Sequence, residues 1–237
     1  MELTILMPCL NEEKTIQTCV RKAKRFLETN QIDGEVLVAD NGSTDHSVQY
    51  ARACGARVVT APCKGYGSAL IEGNKQARGR YIIMGDSDDS YHFEEISPLL
   101  DELRDGKEFV IGNRFQGGIE DGAMPWLHRY IGNPVLSYIG RKLYKCDIGD
   151  FHCGLRGYEK RAVDSLELNC TGMEFASEMV IRAVQHHLSI SEVPVKLYKD
   201  GRTGRSHLRS FRDGLRHLYI LLAYRNHRGE KREESVE

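Results

Sequence analysis

The chain has a single tryptophan, six prolines and seven cysteines, none of which form a CxxC pair. Scattered cysteines in odd number, with Cys9, Cys19 and Cys54 in apolar or helical surroundings, do not make a disulfide framework and fit a reducing compartment. Zinc spacing is missing too; Cys153 beside His152, and the pair His186 and His187, read as structural. No run reaches the roughly eighteen apolar residues of a spanning helix. The N-terminal MELTILMPCL lacks the basic start and long apolar core of a secretory signal, so a cytoplasmic protein is expected. Net charge is −1, which removes the global basic field expected of a nucleic-acid binder. Nucleotide-cofactor fingerprints are also wanting. PCLNEE stands where a dinucleotide fold needs GxGxxG, Gly65–Leu70 (GYGSAL) lacks the third glycine, and no P-loop occurs.

What is present is an alternation of short apolar runs with helical patterns. Strands are expected at 3–7, 35–39, 57–61, 81–84, 109–111, 151–158 and 191–197. Helices are expected at 15–27, 67–77, 93–103 and 174–187, with a broken helical stretch over 127–144 interrupted by Gly132, Pro134 and Gly140. In 15–27 the apolar residues Ile16, Cys19, Val20, Ala23, Phe26 and Leu27 follow a helical period. The alternation argues for an α/β fold, Rossmann-like, with a mostly parallel central sheet and helices on both faces. One domain over 1–200, followed by a basic amphipathic extension over 201–237, is the simplest organisation.

Ligands of such sheets sit beyond the carboxyl ends of the strands. The segments there are Pro8–Glu13 (PCLNEE), Asp40–Asp45 (DNGSTD), Pro62–Gly67 (PCKGYG) and Asp86–Ser90 (DSDDS), all rich in Gly, Asn and Asp. Together they suggest one polar cleft. Asp86-Ser87-Asp88, directly after the apolar YIIMG, is the sharpest element. Two carboxylates cannot hold a diphosphate directly, but they can hold Mg²⁺ or Mn²⁺ with coordination sites left for phosphate oxygens. The metal then stabilises a departing diphosphate.

These residues resemble the inverting GT-A glycosyltransferases of family 2, and within them the dolichyl- or polyprenyl-phosphate sugar synthases. The resemblance runs from about Leu3 to Leu208 through Pro8–Glu12 (PxxNE), DNGSTD, Lys64–Leu70 (KGYGSAL) and the DxD. It continues through Gly112–Phe115 (GNRF), His128–Asn133 (HRYIGN) and Asp150–Tyr158 (DFHCGLRGY). It implies a GT-A fold and a nucleotide-sugar donor. Pro8, Asn11, Glu12, Asp40 and Asn41 would line the base and ribose pocket, with Lys64 and Gly65 near the nucleotide. Asp86, Ser87 and Asp88 would organise metal and diphosphate. Arg114 and Arg129 would face an acceptor phosphate, a role suited to the guanidinium fork. Asp150 matches the position of the family's candidate base and joins Asp88 as an expected catalytic residue. Where family members often have two aspartates this chain has Asp40-Asn41, and Ser90 stands where mannose enzymes often have Gln.

A lipid phosphate, with a second pKa near ~6, is already an anionic nucleophile at neutral pH and needs no base. A soluble hydroxyl acceptor needs one, which Asp150 would supply; Glu174 and Glu178 are alternatives, or Glu178 simply pairs with Arg182. Toward the C-terminus Leu208, Phe211, Leu215, Leu218 and Leu222 recur at helical spacing, flanked by Arg205, Arg209, Arg212 and Arg216. Such a stripe suits peripheral contact with an anionic membrane face, packing on its own domain, or a homodimer partner.

Overall fold

The computed structural model describes residues 1–202 and 210–226, the side chains of 210–213 and 226 excepted. The chain alternates β1 (Leu3–Cys9), α1 (Ile16–Thr29), β2 (Gly34–Asp40), α2 (Ser47–Ala53), β3 (Arg57–Thr60), α3 (Tyr66–Gln76) and β4 (Tyr81–Met84). After a 3-10 turn (Phe93–Glu95) come α4 (Ser97–Arg104), β5 (Phe109–Asn113), a short α5 (Arg114–Gly117), a π-helical turn (His128–Gly132) and α6 (Asn133–Tyr144). Then follow β6 (Arg156–Glu159), α7 (Lys160–Asp164), α8 (Phe175–Gln185), β7 (Ile190–Pro194) and α9 (Ser210–Ala223).

The strands form one sheet in the order β3-β2-β1-β4-β6-β5-β7. Strand β1, apolar along nearly all its length and buried throughout, is flanked in parallel by β2 and β4. A strand covered on both faces needs this continuous apolar run rather than alternation. Strand β6 is the exception to the parallel pattern, running antiparallel to both β4 and β5. Paired residues share a face, so Leu6, Met84 and Arg156 look to one side while Ile5, Ile83 and Gly157 look to the other. Leu99 and Leu103 of α4 pack on Gly157, and α3 packs against β1 and β2 on the opposite face. Helix α1 buries Ile16, Cys19, Val20, Ala23, Phe26 and Leu27, the residues its period singles out.

The second half departs from expectation. The strand expected over 151–158 begins only at Arg156; residues 150–155 are loop. Partners within the loop and beside it explain this locally, because Phe151 N donates to the Ser137 hydroxyl at 3.2 Å, Cys153 N to Asp150 O at 3.4 Å and Gly154 N to the Tyr91 hydroxyl at 3.2 Å, and so these backbone donors are lost to a ladder. Glu178 is not paired with Arg182. It is fully buried and accepts from Asn169 N, Cys170 N and the Tyr224 hydroxyl, so it ties a loop to α8 instead of facing substrate. Glu174 meets Arg216 of α9 at 3.7 Å.

Helix α9 is docked on the domain, against α6 and α8. Among its described side chains the buried ones are His217, Ile220 and Leu221, and the Tyr144 hydroxyl donates to Leu221 O at 2.8 Å. Leu215 and Leu222, at 64% and 52% relative exposure, face outward, and Leu218 is half-buried. Arg205, Leu208 and Arg209 lie outside the described residues, as do the side chains of Phe211 and Arg212. No helix among the described residues is long and apolar enough to cross a membrane.

Candidate active site

The carboxyl ends of β1, β2 and β4, the loop entering α3, the 150–156 loop and α9 surround a cavity of about 760 Å³. Pro8, Glu12, Asn41, Lys64, Gly65, Asp86, Ser87, Asp88 and Arg114 all line it, so residues expected from five separate segments of sequence meet in one place. Asn11, Asp40, Asp150 and Arg129 are not among its lining residues.

The loops are held by their own short polar side chains. Asn11, in the left-handed region at φ 57°, accepts from Thr44 N at 2.8 Å and so fastens the first loop to the second. Asp40 accepts from Gly42 N and Ser43 N, both at 3.1 Å, which turns the chain at the end of β2. Asn41 reaches into the third loop, donating to Cys63 O at 2.9 Å and accepting from Gly65 N at 2.7 Å. Gly65 is required here. Its φ is 136°, and a Cβ would stand 2.1 Å from Thr171 O. Gly65→Ala should therefore cost roughly 3 kcal/mol or more, from the strained backbone and the displaced loop together. A urea titration should show the midpoint falling; an unchanged midpoint would mean the loop yields freely.

At the end of β4 the carboxylates of the DxD stand close to other acids. Ser87 turns inward, its hydroxyl donating to Pro8 O at 2.7 Å. Asp88 accepts from Ser90 N at 3.0 Å and the Ser90 hydroxyl at 2.6 Å with one oxygen, leaving the other directed at Arg202, 3.3 Å away. Burial, and then the charge of Asp88, push the Asp86 carboxyl up to about 6, against the pull of Arg202, Tyr66 and Arg114. Gly154 is packed against this carboxylate so closely that a Cβ there would lie 2.7 Å from Asp86 Oδ2. Asp89 is turned away, with φ 66° and a 2.8 Å ion pair to Lys22 of α1.

Arg202 was not anticipated. It donates through Nε to Glu12 at 2.8 Å, forms a second close contact to the same carboxylate through Nη2, and reaches Asp88. A guanidinium thus sits where crowded carboxylates call for positive charge. Asp86 and Asp88 fit a divalent cation for the same reason, since it relieves their repulsion while leaving positions for phosphate oxygens. Among the described residues no cluster of three or more His, Cys, Asp or Glu forms a complete metal cage, so such an ion would need ligands from its substrate.

Across the cavity the expected pairing is altered. Asp150 is fully buried and both its oxygens are taken by Arg114, at 2.7 Å from Nε and 2.8 Å from Nη2, with Arg114 N at 3.2 Å as well. This bidentate grip, on a carboxylate that does not line the cavity, weighs against a general-base role for Asp150. Arg129 does not join Arg114. It lies over the Tyr130 ring, 5.5 Å from its centroid, while its neighbour His128 lines the cavity. Burial, then the Arg114 charge, hold the His128 imidazole below its usual range.

A mixed sheet with a single antiparallel strand, and a carboxylate pair at its carboxyl edge over a cavity, defines the GT-A class of fold. The chain belongs to glycosyl transferase family 2, whose pattern matches residues 4–166. It is 41% identical over 221 residues to the low-salt glycan biosynthesis hexosyltransferase Agl6 of Haloferax volcanii, covering 93% of this chain and 53% of that one. It therefore spans about half the length of that relative. To the dolichyl-phosphate hexose transferase of the same organism it is 31% identical over 90% of this chain and 89% of the other. The glucosyl-3-phosphoglycerate synthase of Mycobacterium tuberculosis, solved with Mn²⁺, UDP and glucosyl-3-phosphoglycerate, superposes with a TM-score of 0.74 at 21% identity, covering 97% of this chain and 81% of that one. That likeness concerns the fold.

Proposed function

We propose that this protein transfers a sugar from a nucleotide diphosphate sugar, UDP- or GDP-linked, to a polyprenyl-type lipid phosphate with inversion at the anomeric carbon. The observation that carries the reading is the Arg114–Asp150 pair. It commits the expected base to Arg114, and Arg114 and Arg156 both line the cavity, a wall that suits an acceptor arriving already ionised better than a hydroxyl. The resemblance to a dolichyl-phosphate hexose transferase supports the same acceptor class.

Each half of the cavity has its part. Asn41, Lys64 and Gly65 bind and orient the nucleotide at the entrance to α3, and Glu12 lies at the end of β1. Asp86 and Asp88 would hold Mg²⁺ or Mn²⁺, which supplies positive charge to the diphosphate as it leaves. Arg114, fixed by Asp150, orients the acceptor phosphate for in-line attack on the anomeric carbon. Incubation with labelled UDP- and GDP-sugars, Mn²⁺ and a short-chain polyprenyl phosphate should move label into the organic phase. Transfer to soluble hydroxyl acceptors, with none to the phosphate, would reject this acceptor.

An enzyme of this kind has to meet its acceptor at a membrane surface. Trp126, Tyr130 and Tyr138 are exposed on and around the π-helical turn and α6, as are Leu215, Tyr219 and Leu222 on neighbouring α9. Arg129 and Lys142 lie over the Tyr130 and Tyr138 rings, a combination suited to an anionic interface. Each basic residue there is worth about 1 kcal/mol and is screened by salt. Flotation with anionic vesicles should lift the protein at low salt and release it at high salt, and Tyr219→Asp should weaken this without unfolding. A protein that stays at the bottom under every condition, and sediments as a dimer, would assign the face to a second copy.

A further inference from the structure

Arg156 is the largest fully buried side chain among the described residues and has no carboxylate partner. Its Nε donates to Cys153 O at 2.9 Å and its Nη2 to Phe151 O at 3.0 Å, while Nη1 meets no acceptor among the described residues. A buried guanidinium normally costs several kcal/mol unless it is paired, so an arginine satisfied by two carbonyls alone needs another reason to be there. Its position supplies one. Arg156 lines the cavity, on the sheet face covered by α3. Both of its carbonyl acceptors belong to the 150–156 loop, which borders the two sides of the cavity. Gly154 of that loop packs against Asp86 on the donor side, and Asp150 at its start holds Arg114 on the acceptor side. Arg156 therefore stands at the seam between the two halves.

A second polar atom on the same loop is also unmatched. His152 is hydrogen-bonded through Nε2 to the Ser177 hydroxyl at 3.1 Å, and that hydroxyl bonds His217 Nδ1 at 2.8 Å, but His152 Nδ1 has no partner. Burial, then His217, Arg114 and Arg156, keep this imidazole well below its usual range and hence neutral. The wall thus offers one unpaired cation and one unfilled ring nitrogen, with the Asp150 carboxylate already neutralised by Arg114.

We infer that Arg156 is an anion-binding residue of the cavity, set to pair with a phosphoryl oxygen at the junction of donor and acceptor, and that it takes the place beside Arg114 that the sequence gives to Arg129. The inference rests on the proposed transfer between phosphate-bearing substrates. The shared chemistry is a phosphoryl oxygen, contributed by the diphosphate of the donor or by the phosphate of the acceptor. In either position the guanidinium favours the passage of negative charge from the attacking phosphate to the leaving diphosphate.

The test compares Arg156→Gln with the wild-type protein in three measurements: thermal unfolding, calorimetric affinity for UDP and GDP with Mn²⁺, and KM for a short-chain polyprenyl monophosphate. Loss of one charge-assisted contact should weaken one of the two phosphate ligands roughly ten- to a hundredfold. Weaker nucleotide binding assigns the donor diphosphate, and a raised acceptor KM with unchanged nucleotide affinity assigns the acceptor phosphate. If both affinities stay at wild-type values, whether or not the unfolding temperature drops, the inference is overturned and Arg156 is packing. Should Arg156→Gln fail to fold, Arg156→Lys keeps the charge and loses the fork. It should then give a severalfold loss in one arm, and wild-type values in both would again overturn the inference. A wild-type protein that binds nucleotide but never uses the lipid phosphate refutes the acceptor assignment alone, because the nucleotide arm still reads Arg156.

Discussion

Asp88→Asn should abolish sugar transfer while leaving the fold intact. The substitution is mild by design. The oxygen that accepts from Ser90 N and the Ser90 hydroxyl survives as the amide carbonyl, so the turn after β4 keeps its hydrogen bonds. What disappears is the charge on the oxygen that faces Arg202 and would meet a cation. Loss of transition-state charge stabilisation is worth at least on the order of a hundredfold in rate, and removal of a metal-binding carboxylate should exceed that. Calorimetry should also show weaker UDP or GDP binding in the presence of Mn²⁺. The adjacent Asp89 provides the internal control, because its carboxylate is committed to Lys22 and its left-handed backbone turns it toward α1. Asp89→Asn is expected to transfer sugar at close to the wild-type rate. Wild-type activity that survives EDTA, or an active Asp88→Asn, would remove the metal from this reading.

The contrast between Asp88 and Asp89 marks what a sequence discloses and what it does not. Strand β4, its neighbours and the loops beyond them were legible because a buried parallel strand must be apolar along its length and the turn that follows must be polar. The stripe of α1 was legible from its period alone. Helix α2 was not, since Ser47–Ala53 is short and buries only Ser47 and Ala51. Nor was the direction of β6, because a four-residue strand carries no signal for parallel or antiparallel pairing. Arg202 joins Glu12 across 190 positions of sequence, a distance over which no local pattern speaks. Its only cue was an arginine in a glycine-flanked GRTG segment some way beyond β7, which ends at Pro194. Arg114 and Asp150 were each singled out, but as separate tools. Their pairing depends on how β5 and the 150–156 loop meet in space, and this changes the chemistry assigned to both.

That pairing can be tested by its energetics. Asp150→Ala should destabilise the protein by about 3–5 kcal/mol, because it leaves Arg114 buried with an uncompensated charge. In a domain of this size each kcal/mol lowers the unfolding temperature by roughly 2–4 °C, so the shift should be plain in a thermal scan. Arg114→Met combined with Asp150→Leu should recover much of that loss, since apolar residues of similar volume often replace a buried ion pair at little cost. The recovered double variant should nonetheless fail to use a lipid phosphate, because the guanidinium that would orient it is gone. Asp150→Asn separates the remaining roles. It keeps a carbonyl oxygen for Arg114 but no charge. If Asp150 acts only by holding Arg114, this variant should show a raised acceptor KM and a pH profile of kcat with the wild-type shape. A general base would instead take most of kcat with it and erase the acidic limb of the profile. That second outcome would return Asp150 to the catalytic role and favour the hydroxyl acceptor.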